Sequence, residues 1–267
     1  MKPERIVIIS ASSDIGSYLA NRYLHSGSEV VGTYRNRTKK VSELESAGVT
    51  MLKVDIASPE QIESFAASLR HMGFKWDTLI SAAGVLEPIG KFFSLDFDVW
   101  ERSVLVNSTA QLRILHAIHD SRSTSNLCKV IFFSGGGTNS PFDNYSAYCV
   151  GKIALIKMTE LLDSEYPELQ ISIIGTGWVN TKIHRQTIEA GTAAGDNLDK
   201  TRVFLASKTA VGASLDDVFE CVSWCLDSER SALGGRNISL AHDPWREADL
   251  PNLLQSDPNM YKLRRRS

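Results

Sequence analysis

Seven short apolar runs, separated by longer amphipathic stretches, recur along the whole chain, and this alternation constrains the fold more than any other feature. The apolar runs predict strands at Arg5–Ile9, Glu29–Tyr34, Thr50–Val54, Thr78–Ser81, Lys129–Phe133, Gln170–Ile174 and Asn237–Leu240. Helical periodicity fills the gaps at Asp14–His25, Pro59–Met72, Phe97–His119, Tyr145–Tyr166 and Leu215–Leu226. Ile6–Ile9 and Val130–Phe133 are continuously apolar rather than alternating, as expected of strands covered on both faces. Strand–helix alternation of this kind predicts an α/β fold, a doubly wound parallel sheet with helices on both sides. No internal repeat, low-complexity tract or Pro/Gly linker divides the chain, so it reads as one domain.

Composition narrows the function classes. The 267 residues are 43% hydrophobic and 22% charged with a formal net charge of -2, which offers no basic surplus for nucleic acid. The first apolar stretch is too short for a signal peptide, and no run is long enough to span a bilayer. Cys128, Cys149, Cys221 and Cys225 are few and scattered, which reads as free thiols in a reducing, cytoplasmic compartment. Cys221 and Cys225 lie one helical turn apart, but without a second ligand pair they read as buried thiols, and no metal is expected. His116 and His119 have no carboxylate or Cys partners nearby and read as surface or subunit-contact residues.

Two segments carry chemistry. Tyr148 and Lys152 are four residues apart in Tyr-Ser-Ala-Tyr-Cys-Val-Gly-Lys, so on a helix they share one face. A free phenol has a pKa of about 10, and a nearby cation lowers it towards the range useful to a general acid/base. The same spacing also arises when an aromatic and a lysine merely share a helix face. The second segment, Ile6–Ala20, reads as strand, tight turn and helix. A helix N-terminus entered through small residues exposes backbone N–H groups and a positive dipole end, which suits a pyrophosphate. Ser10, Ser12 and Ser13 add hydroxyl donors, and Gly16 lets the helix pack close to the sheet. An ordinary helix capped by Ser13 or Asp14 accounts for the same turn.

In this order and at these separations, the landmarks resemble the short-chain dehydrogenase/reductase family, in its compact single-domain branch, over roughly residues 5–245. That family's turn reads Thr-Gly-x-x-x-Gly-x-Gly, and here Ile9-Ser10-Ala11-Ser12-Ser13-Asp14-Ile15-Gly16 fills it, with Ser10 and Asp14 replacing two glycines. A carboxylate at that place disfavours a pyrophosphate unless it points away or caps the helix. Ser81-Ala82-Ala83-Gly84 stands where the family has Asn-Asn-Ala-Gly, and Asp55-Ile56 matches the pair that meets the adenine ring. Asn107 falls where the family's catalytic asparagine lies. Gly177, Val179 and Thr181 align with the stretch that holds the nicotinamide carboxamide, with Thr176 in place of a proline. The family's active-site serine, thirteen residues before the tyrosine, is Gly135 here, and Ser134 precedes it. A loop longer by one residue, made easy by Gly135, Gly136 and Gly137, would restore Ser134 to the site; Thr138, Ser140 and Ser146 are lesser substitutes.

The resemblance implies a Rossmann-like NAD(P)-binding domain over residues 1–245, with 246–267 as a C-terminal extension ending in a basic tip. It implies hydride transfer between a nicotinamide and a carbonyl or secondary alcohol. Tyr148 would act as acid/base, Lys152 would lower its pKa and hold the nicotinamide ribose, Ser134 would bond the substrate oxygen, and Asn107 would support a relay water. Cofactor choice is read after the second strand, where an acidic residue would select NAD. Tyr34 and then Arg35 stand there, with Arg37, Lys39 and Lys40 close behind, which favours NADP(H) over NAD(H). Arg35 as a solvated loop charge, with either cofactor accepted, is the other account.

Beyond Thr181, the segment that closes over substrate in that family carries here His184, Arg185, Lys200 and Arg202, with Gly191 and Gly195 as candidate hinges for a lid. With Trp245 and Arg246 reaching the same mouth, these charges suit a polar substrate, a sugar derivative or an anionic acyl compound. A solvated loop is the competing account, and the basic tip itself reads as a solvated tail. Members of that family pair through their Asn-bearing and Tyr-bearing helices, here Phe97–His119 and Tyr145–Tyr166, so the resemblance implies a homodimer or homotetramer. Two further function classes fit the departures: a catalytically silent cofactor-binding regulatory or scaffold protein, and a sugar-nucleotide epimerase or dehydratase with tightly bound NAD.

Overall fold

A strand that is apolar along its whole length must be covered on both faces, and the chain builds a single sheet that meets that need. The computed structural model describes residues 4–207 and 212–265. Strands β1 (Arg5–Ile9), β2 (Glu29–Tyr34), β3 (Thr50–Lys53), β4 (Thr78–Ser81), β5 (Cys128–Phe133), β6 (Leu169–Gly175) and β7 (Asn237–Ser239) pair in the order β3-β2-β1-β4-β5-β6-β7. Every pairing is parallel. The helices are α1 (Asp14–His25), α2 (Lys39–Ala47), α3 (Pro59–His71), α4 (Phe97–Asn107), α5 (Thr109–Ile118), α6 (Ser146–Glu165), α7 (Ile183–Ala190), α8 (Asn197–Ala206), α9 (Leu215–Asp227), the short α10 (Arg230–Leu233) and α11 (Leu250–Ser256).

Alternate residues of β1 serve opposite faces. Ile6 and Ile8 pack with Leu19, Val218 and Val222 of α1 and α9, whereas Val7 and Ile9 pack with Phe65, Ile114 and Leu155 of α3, α5 and α6. The strand order reverses between β1 and β4, and that switch point opens a crevice at the carboxyl ends of the strands. Among the described residues no helix is long and apolar enough to cross a membrane. Cys221 and Cys225 lie buried in the core on the α9 face.

Three departures from the sequence expectations have physical causes. The expected single helix over 97–119 is two, broken at Ser108 (φ -139°, ψ -87°), because the Asn107 amide turns inward to the backbone of Val85 while the Ser108 hydroxyl donates to Val104 O at 2.6 Å. Helices α2, α7 and α8 lie outside the expected helical segments, and α2 and α7 bury little: only Val41 and Leu44 of α2, and only Thr187 of α7, are buried. The C-terminal extension packs back on the domain, and of the basic tip expected to be solvated, Arg264 and Arg265 are exposed while Arg264 also makes an ion pair. Leu250 and Leu254 enter the core, Tyr261 O accepts from Asn237 N–H (2.9 Å), and Arg264 pairs with Glu160 of α6. Arg266 and Ser267 lie outside the described residues.

Candidate active site

The crevice begins where β1 turns into α1. Ser10 adopts φ 57°, the left-handed region that favours glycine, and its N–H is held by Thr33 Oγ1 at 2.9 Å. Its carbonyl accepts from Ser13 N–H (2.9 Å) and lies 2.3 Å from where a Cβ on residue 16 would sit, so Gly16 is required for the helix to approach. Ser13 caps α1, accepting from Gly16 N–H at 3.0 Å. The capped helix expected at this turn is present, and its first turn faces the cavity. Asp14 turns its carboxylate aside, pairing with Lys40 and accepting from Lys182 N–H at 2.6 Å. Burial pushes its pKa up, but these two partners outweigh burial and hold the carboxyl below its usual value.

One cavity of about 770 Å³ runs from this turn across the sheet. It gathers Ser10, Ser12, Ser13, Asp14 and Ile15 from the turn, Arg35 after β2, and Asp55 and Ile56 after β3. Ala82, Ala83 and Gly84 after β4, Ser134 after β5, Tyr148 and Lys152 on α6, and Gly177, Val179 and Thr181 after β6 complete the wall. Of the residues expected at the site, Gly16 and Asn107 stand behind this wall, each shaping a neighbour. Arg35 is exposed and, unlike Arg37, which pairs with Glu45, has no ion-pair partner among the described residues.

On α6 the phenol and the ammonium do share a face. Lys152 Nζ lies 5.8 Å from the Tyr148 ring centroid and donates to Phe133 O (2.7 Å) and Ala83 O (3.3 Å). Burial lowers the Lys152 pKa from 10.5 to about 7. The expectation that Lys152 depresses the Tyr148 pKa is not met in this arrangement: burial, with a small push from Cys149, raises the phenol above its usual value. The ammonium spends its protons on two carbonyls instead of the phenol, and burial weakens its own charge.

The space around the Tyr148 hydroxyl is set by a glycine. A Cβ on Gly135 would lie 1.7 Å from Tyr148 Oη, so any larger residue there would displace the phenol. Ser134 continues the β5 ladder, its N–H bonding Ile174 O at 2.9 Å, and consecutive extended residues point opposite ways. Its hydroxyl accordingly donates to Asn237 Oδ1 of β7 at 2.9 Å. Asn107 is fully buried; its amide group donates to Val85 O (2.8 Å) and its oxygen accepts from Val85 N–H (3.2 Å), a clamp on the loop after β4. Gly151 allows α4 that close, since a Cβ there would meet Asn107 Cβ at 2.6 Å.

The segment expected to close over substrate is helical and docked. Gln186 Oε1 accepts from Leu86 N–H (2.9 Å), the Tyr145 and Thr187 hydroxyls bond at 2.9 Å, and Asn197 donates to Asp143 O at 3.2 Å. Gly191 and Gly195 each adopt φ 56°, joining α7 to α8. His184 stacks on Trp178 (5.1 Å, 6°), and burial holds its pKa below the usual imidazole value. His184, Arg185 and Lys200 line the cavity, whereas Arg202 pairs with Asp199 at 3.2 Å and does not. Trp245 and Arg246 do not reach the mouth either. Trp245 is buried and donates to Leu240 O, and Arg246 stacks on its ring and pairs with Asp217 and Glu220. Tyr145, Thr187, Gln186 and Leu86 escaped the sequence reading because nothing local marks a pair about 40 or 100 positions apart.

A doubly wound sheet with a serine-lined helix N-terminus at its switch point and a Tyr–Lys pair across the same cavity defines a dinucleotide-type oxidoreductase fold. The short chain dehydrogenase family model matches residues 4–191, and the chain belongs to that family, whose members use a nicotinamide dinucleotide. It is 25% identical over 169 residues to an NAD-dependent glycerol dehydrogenase of Listeria innocua, covering 62% of this chain and 66% of that one. Over 179 residues it is 27% identical to a benzil reductase ((S)-benzoin forming) of Bacillus subtilis, covering 64% and 72%. A solved short-chain dehydrogenase/reductase from Saccharomyces cerevisiae has the same fold, with a TM-score of 0.79 at 20% identity over 90% of this chain and 97% of that one.

Proposed function

We propose that the protein is an NADP(H)-dependent oxidoreductase that interconverts a carbonyl and a secondary alcohol with Tyr148 as the acid/base. The observation that carries this reading is the convergence of Tyr148 and Lys152 on the same cavity as the β1–α1 turn. The residues present fit a nicotinamide dinucleotide: N–H groups of the capped α1 terminus with Ser12 and Ser13 for the diphosphate, and Asp55 and Ile56 for the adenine end. Thr181 and Val179 suit the nicotinamide end, and the exposed Arg35 suits a 2′-phosphate. When bound, that group would supply or accept the hydride.

The chain's own residues manage the proton. Tyr148, held protonated by burial, is a donor to an oxygen gaining negative charge during carbonyl reduction. Lys152, with a pKa of about 7, can return a proton near neutral pH, and Asn107 keeps the Val85 loop in place beside it. Ser134 would bond the substrate oxygen by exchanging Asn237 for it. Arg185 and Lys200 at the mouth favour a polar or anionic substrate. The oxidoreductase is proposed to be a cytoplasmic homo-oligomer. The exposed Leu105 of α4, and Val150, Ile153 and Leu161 of α6, support a homodimer face.

Fluorescence titration with NADPH and NADH, followed by turnover on a mixed carbonyl panel, tests the reading beside Tyr148→Phe. NADPH binding with turnover lost in the variant is the expected result. A second reading, cofactor binding without turnover, is favoured by the Ser134 hydroxyl being committed to Asn237 and by the absence of a side chain at Gly135. Binding with no turnover on any carbonyl or alcohol would support it instead.

A further inference from the structure

Asp14 has no role in the chemistry above, yet it holds an unusual place. It is the first residue of α1 and lines the cavity beside Ser12 and Ser13, where an anion would meet the helix N-terminus. Its carboxylate reaches two groups from outside the turn. One is Lys40 Nζ, near the start of α2; the other is the backbone N–H of Lys182, the residue that leads into α7. Lys182 follows Thr181 and begins the segment that covers the cavity. Farther along, that segment is fastened by Gln186 to the loop after β4 and by Thr187 to Tyr145, so Asp14 is what joins its first residue to the phosphate turn.

We propose that Asp14 is a positioning residue that fastens the substrate lid to the β1–α1 turn. It does so by accepting from the Lys182 N–H, at the cavity wall, that a dinucleotide's diphosphate would otherwise draw on, while Lys40 holds the carboxylate in that position. Lid anchorage and dinucleotide affinity are then opposed at one side chain: the carboxylate keeps α7 in register and repels the diphosphate beside Ser12 and Ser13. Asp14 thereby sets affinity for the diphosphate common to NADPH and NADH, whereas Arg35 would set the choice between them. The inference rests on the dinucleotide reading of this cavity.

Two variants of the full chain separate the two effects. Asp14→Asn keeps an oxygen to accept from Lys182 N–H but removes the charge; Asp14→Gly removes both. Dissociation constants for NADPH and NADH are measured by fluorescence at low and high salt, and trypsin cleavage at Lys182 and Arg185 is followed without dinucleotide. Expected are about tenfold tighter binding of both dinucleotides by each variant, narrowing at high salt. Wild-type resistance to cleavage is expected for Asp14→Asn, and several-fold faster cleavage for Asp14→Gly. Unchanged or weaker binding by both variants would overturn the competition, and a lid of Asp14→Gly as resistant as wild type would overturn the anchorage. A merely structural role would weaken binding and speed cleavage throughout the chain. Failure of wild type and both variants to bind either dinucleotide would overturn the oxidoreductase reading and the competition together, while the cleavage pattern still decides the anchorage.

Discussion

Replacing Lys152 by Met should reverse part of the pH dependence of folding. Lys152 is buried, and its pKa falls from 10.5 to about 7 because burial disfavours the ammonium. Between those two values the unfolded chain binds a proton at this site that the folded chain does not. The destabilisation is therefore full below about pH 7, fades as the pH rises, and is gone above 10.5. At about 1.4 kcal/mol per pH unit, the full effect is on the order of 5 kcal/mol. Unfolding free energies from urea titrations of wild type and Lys152→Met at several pH values isolate the group, because other titrations cancel in the difference. Wild-type stability relative to the variant should climb by about 3 kcal/mol between about pH 7.5 and 9.5. A flat difference over that range would refute the reasoning: it would mean that the bonds to Phe133 O and Ala83 O keep the ammonium charged despite its burial.

Other side chains give equally direct tests. Gly135→Ala, which puts a Cβ where the Tyr148 hydroxyl sits, should displace the phenol and lower kcat by about a hundredfold with little change in dinucleotide Kd; an unimpaired kcat would contradict the packing. If Arg35 selects the cofactor, Arg35→Glu should lower the ratio of NADH to NADPH dissociation constants at least about tenfold, and an unchanged ratio would remove Arg35 from cofactor choice. Arg236 is buried and donates to Leu254 O and Asp257 O, so Arg236→Ala should cost about 3 kcal/mol in urea unfolding and expose the chain beyond Leu250 to protease.

The strands were legible because burial on both faces leaves an unbroken apolar run, and Ile6–Ile9 and Val130–Phe133 display it directly. Much of the cavity wall was legible as well, since β1, β3, β4 and β6 each end in a short local pattern and parallel strands deliver those ends to one edge. Polar or sparsely buried helices were not. The buried faces of α2 and α7 rest on one or two residues each, and such short segments do not stand out as core-facing helices.

What the amino-acid order determined by itself was therefore the layered fold, the turn after β1 and the Tyr148–Lys152 spacing, all local consequences of periodicity and residue type. Tertiary structure decided which way those groups face. It turned Ser134 towards Asn237, set the Tyr148 hydroxyl over Gly135, drew the Asp14 carboxylate to Lys40 and Lys182, and folded residues beyond Trp245 against β7 and α6. It also raised the phenol's pKa where spacing alone predicted a fall, because desolvation depends on everything packed around a group and helical spacing reports only one neighbour.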